Sequence, residues 1–231
     1  MKEFTEMKKS ISVLMLGALG VMAANKDNTE RLDRAAVVFE EIMGISDKAI
    51  PQTFLDKSEC VVLVPGMKKG AFIVGAKFGR GFLSCRNKGG AGWSAPGAIR
   101  VEGGSVGFQI GGSETDVIML VMNERGSERL LKSKFTLGGD ASVAAGPVGR
   151  DASAQTDAMM TAEILTWSRS RGVFAGVSLQ GATLRQDIDV NTDMYGKAYE
   201  NAQIVRSGLA APDAAKKLMG LLTKYSGRKS K

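Results

Sequence analysis

The chain has 231 residues, 44% of them apolar and 24% charged, which is enough for one large domain with a sizeable core. It has no histidine and only two cysteines, Cys60 and Cys85, which excludes the usual serine and cysteine triads, most zinc sites and thiolate clusters. The net charge of +7 favours anionic partners such as a membrane surface, nucleic acid or an acidic polymer, unless it only solvates the surface.

The N-terminus reads as an address. Lys8 and Lys9 precede an uncharged run from Ile11 to Val21, and Ala23 and Ala24 follow. A positive region, a short apolar core and a small-residue exit predict a secretory signal peptide over residues 1–23. Met7 is an alternative start, and an uncleaved anchor or buried helix is the competing reading. Cleavage removes three lysines and two glutamates, so the remainder stays basic. The expected destination is outside the cytoplasm, in the periplasm, with peripheral membrane association. Export would permit a Cys60–Cys85 disulfide, although both residues also suit small core positions.

Residues 25–44 form the next predicted element, a helix. Asp27 and Glu30 make a capping-box pattern, and Leu32, Ala35, Ala36, Phe39, Ile42 and Met43 recur at helical spacing. That stripe reads as core packing. Pro51 opens a short helix ending near Lys57. Strands are predicted at 60–64, 71–79 and 82–86, with turns at Pro65-Gly66 and Gly79-Arg80-Gly81. More strands follow at 98–102, 105–111, 116–122, 141–145, 163–170 and 172–179, with a short helix at 127–132. Residues 191–207 and 212–225 have helical composition, and 227–231 form a flexible basic tail. The 29 glycines, about twice the usual share, lie among apolar runs and suit tight turns and close strand approaches. The expected fold is a single α+β domain over residues 24–226. Its antiparallel, barrel-like or strongly curved β core is flanked by N- and C-terminal helices.

Several segments share one resemblance. In order, they are Val61-Val-Leu-Val-Pro65, the run from Lys69 to Gly81, Trp93-Ser-Ala-Pro96 and the run from Gly103 to Gly111. Leu137-Gly138-Gly139-Asp140 then leads to Gly146-Pro147-Val-Gly149-Arg150, and Gly172, Gly176 and Gly181 close the set. Together, over roughly residues 30–207, they resemble the SYLF domain, a family of lipid- and phosphoinositide-binding modules. Trp167 stands where that family often has Tyr. The resemblance implies a non-enzymatic module with no cofactor. Its implied mode is attachment to anionic lipid through a basic surface beside an N-terminal amphipathic helix. The motif residues read as structural. Some relatives are linked to actin, but predicted export leads to the expectation that actin is not a partner.

Candidate lipid-binding residues are Lys68, Lys69, Lys77, Arg80, Arg86 and Lys88. The interval from Lys69 to Lys88 contains no acid, and a hairpin there would gather the cations near its ends. The alternative is a scattered, solvated set. Nucleic acid is not expected, because no aromatic platform interleaves the series. Gly138-Gly139 and Gly146–Arg150 lack the Lys and Ser/Thr of a phosphate loop and read as turns. Asp140, Asp151, Asp157 and Glu163 have no fixed mutual distance, so caps and turn hydrogen bonds are their default roles. No catalytic residue, metal site or cofactor is expected. The expected function is peripheral attachment to anionic phospholipid headgroups. The alternative is an envelope scaffold that uses the same basic surface to meet a protein.

Overall fold

The computed structural model describes residues 26–45, 49–71, 74–87, 92–106, 111–148, 161–170 and 173–226. Helix α1 covers residues 26–43, and α2 is Gln52–Lys57. Four long strands follow: β1 (Cys60–Ala71), β2 (Val74–Cys85), β3 (Gly97–Val106) and β4 (Gly111–Val121). Then come α3 (Glu124–Leu130), β5 (Lys134–Thr136), β6 (Val143–Ala145), β7 (Ile164–Ser170), β8 (Val173–Gly176) and β9 (Thr183–Gln186). Helices α4 (Ile188–Tyr195), α5 (Asn201–Arg206) and α6 (Lys216–Ser226) end the described chain.

All nine strands join one curled, half-barrel sheet in the order β5-β9-β3-β2-β1-β4-β7-β6, with β8 also paired to β7. Only the short β6–β7 pair is parallel. The α+β single-domain fold with a strongly curved β core and terminal helices is therefore as the sequence implies.

Both faces of the sheet are covered, which explains the unbroken apolar run at the start of β1. Val61 and Leu63 of β1, with Ile118 and Leu120 of β4, pack beneath α1, α2 and α6. Cys60, Val62 and Val64 alternate to the other face and join Leu130 of α3 and Val205 of α5. The α1 stripe is core: Leu32, Phe39 and Ile42 are fully buried among the first set. Asp27, expected as a cap, lies inside the helix with its carboxylate on Arg31.

Two predicted turns are not turns. Pro65 and Gly66 form a β-bulge inside β1, where they together oppose the single Asp116 of β4. Gly66 adopts φ +61° there, a left-handed value that favours glycine. Gly79-Arg80-Gly81 runs straight through β2. A Cβ on Gly81 would stand 2.0 Å from the Leu63 carbonyl oxygen, so this glycine serves the close approach of β1. The predicted strand 98–102 lies within β3, and of the predicted strand 105–111 the described ends fall in β3 and β4, residues 107–110 lying outside the described residues. The predicted helix over 191–207 is broken at Gly196, whose φ of +70° ends α4. Strands β5 and β9 have no counterpart in the sequence reading. Cys60 and Cys85 lie directly opposite in the β1–β2 register and form a disulfide.

Candidate functional site

The bulge decides which lysine faces α1. A regular strand continuing from Leu63 would turn odd-numbered residues toward α1. The extra residue at Pro65-Gly66 reverses that alternation, so Lys68 joins the α1 face with Phe78 and Glu114 as cross-strand neighbours. Lys69 and Lys77, directly paired in register, go to the opposite face. Burial, then the facing Lys77 ammonium, lowers the Lys69 pKa from the ordinary lysine value.

On the α1 face a cleft of about 560 Å³ opens between α1 and the bulged end of the sheet. Helix α1 supplies Asp27, Arg31 and Arg34, and the strands supply Lys68, Arg80 and Glu114. Two of the four cations are tied. Arg31 donates to Asp27 at 2.6 Å and to Asn28 at 2.8 Å. Arg80 lies 3.3 Å from the buried Asp187 carboxylate, which also faces Arg100 at 3.9 Å. Arg34 and Lys68 form no ion pair among the described residues, and neither does Glu114. Phe78, 46% exposed, lines the same cleft.

Below the cleft the cations continue in a row. Arg80, Arg100, Arg185 and Lys134 stand opposite one another across β2, β3, β9 and β5. Like charges so placed repel. Asp187 offsets the first pair, and Glu102 meets Arg185 at 3.3 Å. Asp116 is held beside the bulge, accepting from the Gly66 N–H at 2.9 Å and from Arg169. Burial nevertheless raises its pKa above the ordinary carboxylate value, with the Gly66 bond opposing.

The candidate series therefore does not come together as a hairpin-end cluster. Lys68 and Arg80 line the cleft, while Lys69 and Lys77 point away. Arg86 is not a surface cation at all. It is 8% exposed, lies 4.0 Å over the Trp93 ring, and donates to the carbonyls of Ser58, Leu55 and Ser226. Its guanidinium ties the ends of α2, β2 and α6 together. Lys88 falls outside the described residues. Arg31 and Arg34 were missed because α1 reaches the cleft only by folding back over the sheet. The sole sequence signal was two arginines on the polar side of the predicted helix.

The described motif residues make packing and turn contacts. Trp167 is fully buried and donates its indole N–H to the Pro147 carbonyl at 2.9 Å. Gly176 abuts Gly146, where a Cβ would stand 2.2 Å from the Gly146 carbonyl oxygen. Gly138 and Gly181 have left-handed φ values of +81°. Asp140 accepts from the Thr136 N–H across the Gly138-Gly139 turn, and Pro96 accepts from the Tyr195 hydroxyl. Burial pushes the Tyr195 pKa well above the usual phenol value. Gly149, Arg150 and Gly172 lie outside the described residues.

Asp140 and Glu163 border a second, open cleft of about 540 Å³, but each carboxylate already accepts a hydrogen bond within the fold. Glu163 accepts from Arg129 at 2.7 Å and from the Ser142 N–H. Asp151 and Asp157 are outside the described residues. Among the described residues no group of three acids or cysteines could hold a metal, and no helix is long and apolar enough to cross a membrane.

Comparison with known proteins places these features in a family. The model of Ysc84, described as "Las17-binding protein actin regulator", matches residues 102–225. The SH3 domain-containing YSC84-like protein 1 of Xenopus laevis is 34% identical over 203 residues, covering 84% of this chain and 59% of that protein. Its Homo sapiens counterpart is 32% identical over 199 residues, covering 84% and 58%. Protein YSC84 of Saccharomyces cerevisiae is 31% identical over 192 residues, covering 82% and 40%. The chain thus spans under two thirds of the length of these curated relatives. The family description speaks of binding and regulation. It overturns the expectation that actin is not a partner: the matching family is itself described as an actin regulator, and predicted export was too weak a ground to set that aside.

Proposed function

The chain belongs to the Ysc84 (SYLF) family, and on that premise we propose that it is a non-enzymatic module that attaches peripherally to anionic membrane lipid. The observation that carries this reading is the cleft on the α1 face. It holds Arg31, Arg34, Lys68 and Arg80 together, and two of them, Arg34 and Lys68, form no ion pair among the described residues. An unneutralised cation near a lipid surface contributes about 1 kcal/mol. Exposed Phe78 beside Lys68 supplies a shallow apolar contact. The α1 stripe does not take part, because its apolar side chains are buried in the core.

We also propose that the chain is exported. The buried Cys60–Cys85 disulfide supports this, since such bonds persist in oxidising compartments. Flotation with phosphatidylcholine vesicles, with and without phosphatidylglycerol, tests the membrane reading. Binding should require the anionic lipid and weaken as salt screens the charges over about 8 Å at physiological strength. Indifference to lipid charge would end the proposal.

The family description favours a second reading, in which the same cleft docks an acidic protein segment within an actin-regulating assembly. Intact-mass measurement separates the two settings. A start at Ala24 or Asn25 supports export, whereas retention of residue 1 or 7 together with co-sedimentation on filamentous actin supports the second.

A further inference from the structure

The cleft contains one group that a purely anionic ligand would not want. Glu114 stands opposite Lys68 in the β1–β4 register, where facing side chains have Cβ atoms about 5 Å apart. Yet the two form no ion pair. The Glu114 carboxylate instead leans over the bulge: a Cβ on Gly66 would stand 2.5 Å from its Oε1. Glycine at the bulge therefore leaves room for that carboxylate, and Glu114 lines the cleft with Arg34 and Lys68. Next to it, Asp116 is occupied by Arg169 and the Gly66 N–H, and Asp27 by Arg31. Glu114 is thus the uncommitted acid of the cleft among the described residues.

Two cations and one carboxylate that form no ion pair among the described residues match a ligand that carries both signs. We propose that the cleft selects phosphate esters bearing a primary ammonium group, the chemistry of aminophospholipid headgroups. Arg34 and Lys68 take the phosphate, and Glu114 accepts hydrogen bonds from the ammonium. A headgroup without an amine meets the same cations but also the repulsion of Glu114. The inference rests on the membrane reading above and adds a choice among lipids of equal charge.

The test uses the full chain and two vesicle preparations of equal net charge, phosphatidylcholine mixed with either phosphatidylserine or phosphatidylglycerol at the same mole fraction. The parent should bind the phosphatidylserine vesicles several-fold more tightly. Glu114→Gln should raise binding to phosphatidylglycerol and cancel the difference, without lowering thermal stability. Equal binding of the parent to both preparations, or a preference that survives in Glu114→Gln, overturns the selectivity and leaves the membrane reading standing. Binding to neither overturns both, unless calorimetry with O-phosphoethanolamine shows saturable uptake that Glu114→Gln weakens. That result keeps the ligand chemistry and assigns it to a soluble source.

Discussion

A Cβ placed on Gly146 would stand 2.0 Å from Cε2 of Trp167, so the indole occupies the space that any other residue at 146 would need. The same ring donates its N–H to the Pro147 carbonyl. The glycine-rich signature is therefore a socket for one buried tryptophan on β7.

Gly146→Ala is expected to destabilise the fold by about 1–3 kcal/mol through overpacking. Trp167→Phe should cost about 1–3 kcal/mol by leaving the buried Pro147 carbonyl without its donor. Because Phe also vacates space beside residue 146, the double variant should lose less than the sum of the two. Urea denaturation of all four proteins measures the coupling, and strict additivity would contradict the socket.

Arg86 should behave as a structural residue. Arg86→Met removes the donor shared by the Leu55, Ser58 and Ser226 carbonyls and the cation stacked on Trp93. The expected loss is about 3 kcal/mol, the scale for breaking a buried charged network. The end of α6 should become sensitive to protease. Vesicle binding by the molecules that remain folded should match the parent, and a selective loss of binding at full stability would return Arg86 to the lipid site.

The disulfide should matter in proportion to the loop it closes. Cys60 and Cys85 are 25 residues apart, for which the chain-entropy model gives about 3.5 kcal/mol. The double variant Cys60→Ser, Cys85→Ser should unfold at a correspondingly lower denaturant concentration. An unchanged midpoint would mean that the bridge adds nothing to the fold.

Local patterning made much of this fold readable, and packing hid the rest. The α1 stripe from Leu32 to Ile42 and the apolar runs of β1 and β4 carry their own periodicity, and their burial follows from it. Pro65-Gly66 has the composition of a turn, but only the pairing of β1 with β4 makes it a bulge. That one residue reverses the faces of Lys68 and Lys69, so the linear run of cations divides between two sides of the sheet. Strands β5 and β9 are three and four residues long, too short for an alternation to stand out. Arg34 and Glu114 meet in the cleft from positions 80 residues apart in sequence, a juxtaposition made only by tertiary folding.

The face-specific pair of charge variants tests the central claim most directly. Arg34→Gln with Lys68→Gln removes the two unpaired cations of the cleft, while Lys69→Gln with Lys77→Gln removes the same charge from the opposite face. Both keep the ion pairs of Arg31 and Arg80, so both should fold. At low salt, flotation with phosphatidylserine vesicles should show the cleft variant weakened by about 2 kcal/mol, roughly 30-fold, with the opposite-face variant close to the parent. Equal losses in both variants, or a loss confined to Lys69 and Lys77, would contradict a binding site on the α1 face.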